Sequence, residues 1–336
     1  MDSKPSGDRS ENKSVSALPS ARMDTVSLTD IDTQDTTYRI TTRNQLEDLL
    51  VTIPSFGLLH PPVLIEKPSV YSVVCGFRRI AACRRLGWKS MDAGILAAVH
   101  DRFQIAQLAV ADNILQRPLN LIETSRALNL LMEKSPDRQQ LEKAALALGL
   151  PVNPSVATKI QQLCQLAIPI QEGILSDTIN LSMALELGKM DATDSGMLVA
   201  LFNRLKLGLN KQRELLGLVT EIAKREDTSI QQLIGEPSLQ DILQNADLDR
   251  AIQRQQIRSL LRQRRYPAIT EAEANFGKQV RQLKLGKHIQ LVPPRDFEGT
   301  TYTMTLHFKN LQDLSDLNAK IVKILEQPAL GKILKR

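Results

Sequence analysis

The stretch Cys75-Gly76-Phe77-Arg78-Arg79-Ile80-Ala81-Ala82-Cys83-Arg84-Arg85-Leu86-Gly87 restricts the fold of this chain more than any other. Before it, Tyr71-Ser72-Val73-Val74 is a short β-branched and aromatic run, which reads as a strand. Gly76 permits a tight turn, and Ile80, Ala81, Ala82 and Leu86 then recur with the spacing of a helix packed on a sheet. A strand, a glycine turn and a helix start leave backbone N–H groups and the helix dipole facing outward together, which suits an anion. Arg78 and Arg79 add forked donors that match phosphate oxygens. The same pattern also fits a surface turn with solvated arginines, and one glycine does not separate the two readings.

Length and charge narrow the classes. With 336 residues the chain has room for two or three cores. A formal charge of +6 is compatible with a polyanionic partner. At 4% aromatic residues, base stacking on a single strand is disfavoured. Cys75, Cys83 and Cys164 are widely spaced without a CxxC pair, so neither a disulfide framework nor a zinc site is expected, and a reduced, cytoplasmic setting is. No apolar run approaches the roughly 20 residues of a membrane span, and no signal peptide is expected.

Taken in order, residues 1–37 are rich in Ser, Asp, Thr and Lys and are expected to form a disordered tail. A domain is expected over 38–118. In it a helix carries Leu46, Leu49, Leu50 and Ile53 and stops by Pro54, and Phe56-Gly57-Leu58-Leu59-His60-Pro61 forms a turn. Strands follow at Pro62–Glu66, Tyr71–Val74 and Met91–Leu96, with helices from Arg102 onward.

Three motifs in this order, Gly57-Leu58-Leu59-His60-Pro61-Pro62-Val63, Gly76-Phe77-Arg78-Arg79-Ile80-Ala81-Ala82 and Asp112-Asn113-Ile114-Leu115-Gln116-Arg117, resemble the ParB family of DNA-partition proteins. The resemblance implies an α+β, multidomain protein with a small ParB/sulfiredoxin-like N-terminal domain, and CTP with Mg²⁺ as its ligand. Carried over residue by residue, nucleotide binding falls to Gly57, His60, Pro61, Gly76, Arg78, Arg79 and Asn113, and the metal to Asp112 and Asn113. Phe77 stands where the family has a glutamate implicated in hydrolysis. Phenylalanine can neither polarise water nor accept a proton, so no catalytic residue is assigned and CTPase activity is left open. Cys75 precedes its glycine and has no histidine after it, unlike the catalytic cysteine of sulfiredoxin; it reads as the end of a strand, and Cys83 as a small hydrophobe under the helix.

A helical DNA-binding domain is expected over 119–235, with a helix-turn-helix at 139–166. Leu141, Ala144, Ala145 and Leu148 make its first helix. Asn153 caps the second, Pro154 opens it, and Val156, Ile160, Leu163 and Cys164 face inward. Ser155, Thr158, Lys159, Gln161 and Gln162 are left to read base edges in the major groove. Any helical hairpin shows similar spacing, and it is position after the Asp112-Asn113 motif that favours a DNA reader. With so few arginines there, backbone affinity is expected from Arg204, Lys206, Lys211 and Arg213.

Residues 236–287 read as a basic helical linker, in which 250–287 holds ten Lys and Arg against two Glu. Residues 288–336 read as helix-flanked strands at Ile289–Val292 and Tyr302–Phe308, followed by a helix with Leu311, Leu314, Leu317, Ile321 and Leu325 inward. So small a module buries its sheet best by homodimerising. The function expected is a nucleoid-associated partition protein that binds a palindromic site on double-stranded DNA, switched by CTP and served by a ParA-type ATPase, with no membrane. The alternatives are a transcriptional regulator without a nucleotide switch and, third, a nuclease or phosphotransferase on the same fold.

Overall fold

In a computed structural model, residues 21–98 and 100–334 are described. They belong to two compact units, Met1–Val199 and Ala200–Arg336. The protein is mixed α+β and mainly helical.

The first unit is built on a five-stranded sheet in the order β1-β5-β3-β4-β2, comprising β1 (Arg22–Ser27), β2 (Ile31–Asp32), β3 (Val63–Glu66), β4 (Tyr71–Cys75) and β5 (Ser90–Leu96). β1 and β2 lie within the stretch expected to be a disordered tail. β1 runs antiparallel along β5 from Arg22–Ile95 to Ser27–Ser90, and β2 pairs parallel with β4. Among the described residues of this stretch, only Val26, Leu28 and Ile31 are buried apolar residues, and the ladder to β5 supplies the order that composition did not suggest. Residues 1–20 of the expected tail lie outside the described residues.

Side chains alternate across the sheet, as strands require. Leu64 and Val73 pack beneath α1 (Glu47–Phe56) and α2 (Phe77–Arg85), together with Ile53, Ile80, Ala82 and Cys83. Ile65 and Val74 face the other way, onto α3 (Arg102–Gln116) and α4 (Leu121–Lys134) with Phe103, Ala106, Val110 and Leu131. The expected strands and the start at Arg102 are therefore in place. Helix α1, however, passes through Pro54 and ends at Phe56. Proline near the last turn removes one amide bond without stopping the helix. The stop comes from Gly57, whose φ of 69° is left-handed.

After α4 come α5 (Arg138–Ala147), α6 (Pro154–Gln161), α7 (Ile168–Leu175) and α8 (Leu181–Leu187). Asp137 and Asn153 cap α5 and α6, and Pro154 occupies the first turn of α6 as the sequence indicates. Ile160 and Leu163 are buried, but Val156 is 41% exposed instead of inward. The helix is short, and its first turn projects beyond the core.

The division between units falls within α9 (Ala192–Leu205), well before the boundary expected at 235. The second unit continues with α10 (Leu209–Arg225), α11 (Ile230–Gly235), α12 (Pro237–Gln244), α13 (Arg250–Arg265) and α14 (Pro267–Leu283). The stretch expected as a basic linker is thus packed structure, since Ile257 and Leu261 of α13 are buried. Its arginines are largely neutralised within the fold. Arg258 pairs with Glu214 at 2.7 Å, Arg262 with Glu273 at 3.2 Å, Arg264 with Glu226 and Glu236, and Arg265 with Glu221 at 2.5 Å. The chain ends with the antiparallel pair β6 (Ile289–Val292) and β7 (Thr303–Leu306), then α15 (Leu311–Leu325) and α16 (Pro328–Leu334). Leu317 and Ile324 are buried on α15, whereas Leu311 and Leu325, expected inward, are 85% and 64% exposed.

Candidate functional site

The three sequence motifs, which lie tens of residues apart, line one cavity of about 840 Å³. Gly57, His60 and Pro61 come from the turn after α1, Gly76, Phe77, Arg78 and Arg79 from the β4–α2 turn, and Asp112, Asn113, Gln116 and Arg117 from the end of α3. Every nucleotide- and metal-binding candidate named from the sequence is on this wall. Volumes of this order hold small organic ligands.

Gly76 has φ 92°, in the left-handed region that favours glycine. A Cβ there would stand 2.9 Å from Pro62 Cβ and 3.2 Å from Arg79 Nε. The bare turn therefore lets the start of α2 approach the 60–62 segment, and Gly76 caps that start with no side chain. The first N–H groups of a helix lack intrahelical acceptors, and here they open beside the cavity.

Arg79 stitches the motifs together. Its guanidinium, 13% exposed, donates to the carbonyls of His60 and of Pro61 (3.3 Å) and reaches Asp112 Oδ2 at 3.3 Å. Gln116 Nε2 donates to the same carboxylate oxygen at 3.1 Å. Arg78 points elsewhere: it donates to Gln45 O at 2.7 Å and to Asp48 Oδ1 at 2.6 Å, holding the start of α1 while still lining the cavity. Asp48 is lowered by that contact. Phe77 packs into the apolar cluster under α1 and α2, with the Arg39 guanidinium 5.9 Å from its ring centre. The position where a family glutamate would stand is thus a packing position. Burial pushes the Cys75 thiol far up, and with 2% exposure it is an inert wall residue.

One group that sequence reasoning missed is Glu123 on α4, whose side chain is fully buried. Arg117 clasps it with two donors at 2.7 and 2.6 Å, and the amides of Thr42 (2.8 Å) and Asn120 (3.2 Å) also donate to it. Burial alone would raise this carboxyl. Arg117 and the two amides overcome that and hold it at about 2. The Asn120-x-x-Glu123 spacing of a capping box was the available signal, and the box is formed. This arrangement fixes Arg117 at the cavity edge.

Among the described residues no three His, Cys, Asp or Glu gather as a metal cluster, and Asp112 is the one carboxylate on the cavity wall. Such a donor set suits Mg²⁺ brought in on phosphate oxygens, not a metal caged by protein. The bare Gly76 turn, the open helix start and the surrounding arginines fit a triphosphate.

In the helical hairpin, Ser155, Thr158, Lys159 and Gln162 of α6 and its end are exposed. Gln161 is half-buried. Its side-chain amide contacts Met132 Sδ at 3.4 Å, and its backbone carbonyl accepts from Ser125 Oγ and Asn129 Nδ2 of α4. Gln161 therefore anchors the hairpin to α4. Of the expected backbone contacts, Arg204 is turned onto the carbonyl of Leu243, and Lys206 Nζ donates to Asn203 at 2.7 Å.

Fold and cavity define a multidomain α+β protein whose N-terminal domain is a small sheet with an anion-suited pocket at a βα turn. Residues 12–114 match the family described as ParB N-terminal domain, so this segment of the chain is similar to that domain. It is 30% identical over 173 residues to a nucleoid occlusion protein of Oceanobacillus iheyensis, covering 51% of this chain and 58% of that one. It is also 30% identical over 154 residues to a probable chromosome-partitioning protein ParB of Campylobacter jejuni, covering 46% and 53%. The chain thus spans about half the length of the curated relatives it matches. Among solved structures, a C-terminally truncated ParB of Caulobacter crescentus complexed with CTP-gamma-S aligns with 22% identity and a TM-score of 0.25, over 54% of this chain and 98% of that one. Among the described residues no helix is long and apolar enough to cross a membrane.

Proposed function

We propose that this chain is a DNA-binding partition protein that takes CTP with Mg²⁺ in its N-terminal cavity. The observation that carries the reading is Arg79, one guanidinium joining the 60–61 turn, the phosphate-type turn of α2 and Asp112 of α3. In this reading the α2 start and Arg79 hold the triphosphate, and His60, beside Gly57 and Pro61, meets the pyrimidine edge. Asp112 and Asn113 hold Mg²⁺, which would neutralise phosphate charge. With Phe77 in a packing position, no carboxylate stands at that position to activate water, and Asp112 is engaged by Arg79 and Gln116, so binding exceeds turnover. The exposed Ser155, Thr158, Lys159 and Gln162 read base edges in a palindromic double-stranded site, and Gln161 supports them. Two chains pair through the C-terminal module, where Leu311, Val322 and Leu325 of α15 are exposed apolar residues. The protein acts in the cytoplasm on the nucleoid, with a ParA-type ATPase.

The test is calorimetric titration of CTP, ATP and GTP with Mg²⁺ into wild type, Arg79→Ala and Asn113→Ala. Saturable CTP binding that both variants lose, with their melting transitions retained, supports the reading. Absence of CTP binding, or binding that survives both substitutions, contradicts it.

A further inference from the structure

The second unit contains a concavity of about 500 Å³ between α10 and α13. Lys211 and Glu214 line it from α10, Arg254, Arg258 and Arg262 from α13, and Glu273 from α14. The three arginines recur every fourth residue and so share one helix face. Both carboxylates are engaged, Glu214 by Arg258 at 2.7 Å and Glu273 by Arg262 at 3.2 Å. Lys211 and Arg254 face the same space with no carboxylate in pairing distance among the described residues. Arg254 Nε is tied only to the carbonyl of Arg250, at 3.1 Å.

Two cations without counter-charges, in a concave site flanked by two more arginines, are suited to an anion. The floor residues Leu205, Leu215 and Leu218 are at most 6% exposed, so an apolar ligand would gain little by entering. Glu214 and Glu273 stay partly exposed, with side chains 34% and 49% accessible. They would repel a continuous polyanion laid across the opening but leave room for a compact one between them. The volume lies within the range of small-ligand sites.

We infer that the groove between α10 and α13 binds a compact, multiply charged phosphate anion through Lys211 and Arg254. This site is independent of the N-terminal cavity, and its test separates the two. Inorganic triphosphate without metal is titrated calorimetrically into the full chain, Lys211→Gln/Arg254→Gln, and Arg79→Ala. The double variant is expected to bind one equivalent at least about tenfold more weakly, the loss expected when charge-assisted hydrogen bonds are removed, while Arg79→Ala keeps that equivalent. Arg254→Lys with Lys211 intact should restore part of the affinity. Unchanged triphosphate binding by the double variant overturns the inference. So does a variant whose triphosphate binding is intact while its affinity for random duplex DNA falls, since the cations would then serve a nucleic-acid backbone.

Discussion

Replacing Glu123 by glutamine should destabilise the first unit by about 3 kcal/mol at pH 7. Its carboxyl is held at about 2 against an ordinary value of 4.5. At roughly 1.4 kcal/mol for each tenfold change in proton affinity, that difference corresponds to ~3 kcal/mol. Breaking a buried ion pair from one side costs about 3–5 kcal/mol, so the two routes agree. Glutamine would also turn an amide N–H₂ toward Arg117 or toward the Thr42 and Asn120 amides, all of them donors. Because the folded carboxyl is depressed, its contribution is complete above about pH 4.5 and disappears as pH falls toward 2. The chain has a single tryptophan, Trp88, packed against the N-terminal core, so urea unfolding can be followed by its fluorescence. Wild type should lose this increment on acidification, and Glu123→Gln should lack it at every pH. Lys67, Thr37 and Ser72 likewise hold Asp35 down against the upward push of burial, and that acid-sensitive share should remain in both proteins. A loss below about 1 kcal/mol at pH 7, or an unchanged acid limb in the variant, would show that the Arg117–Glu123 pair does not carry this stability.

Gly76→Ala should cost roughly 2–5 kcal/mol, from a left-handed φ and a Cβ against Pro62, whereas Gly87→Ala, with φ 77° but open space around it, should cost only about 1–2 kcal/mol; thermal melts of the pair check this. Lys159→Ala with Gln162→Ala should weaken specific DNA binding by about 1–3 kcal/mol per lost base contact and leave non-specific binding nearly unchanged, as measured by competition with random duplex. Gln161→Ala should instead lower the melting temperature, because its amide packs on Met132. A thiol reagent on the native protein should label Cys164, which is partly exposed, and spare Cys75 and Cys83; labelling of Cys75 would show that the cavity wall opens.

The cavity was legible because its chemistry is local. A strand, a glycine and two arginines can be read at single positions, and strand and helix periods placed the elements that carry them. What the sequence could not show is where long side chains turn. Arg78 and Arg79 are adjacent and alike, yet one holds α1 and the other joins three segments, since a helix points neighbouring residues about 100° apart. Glu123 showed only its capping-box spacing to Asn120, because its further partners at 41–42 are about eighty positions away. The N-terminal strands were missed because a polar edge strand borrows its order from its neighbour. The basic run of α13 misled because charge counts along a chain omit the carboxylates folded against it, Glu214, Glu221, Glu226 and Glu236.

The space walled by the three motifs is the proposed site of one nucleotide. Amide hydrogen exchange with and without CTP and Mg²⁺ tests it most directly. Slowed exchange at 57–61, 76–80 and 112–117 together, absent in Arg79→Ala, is the expected result. Binding of CTP with no change at those three segments would contradict the account.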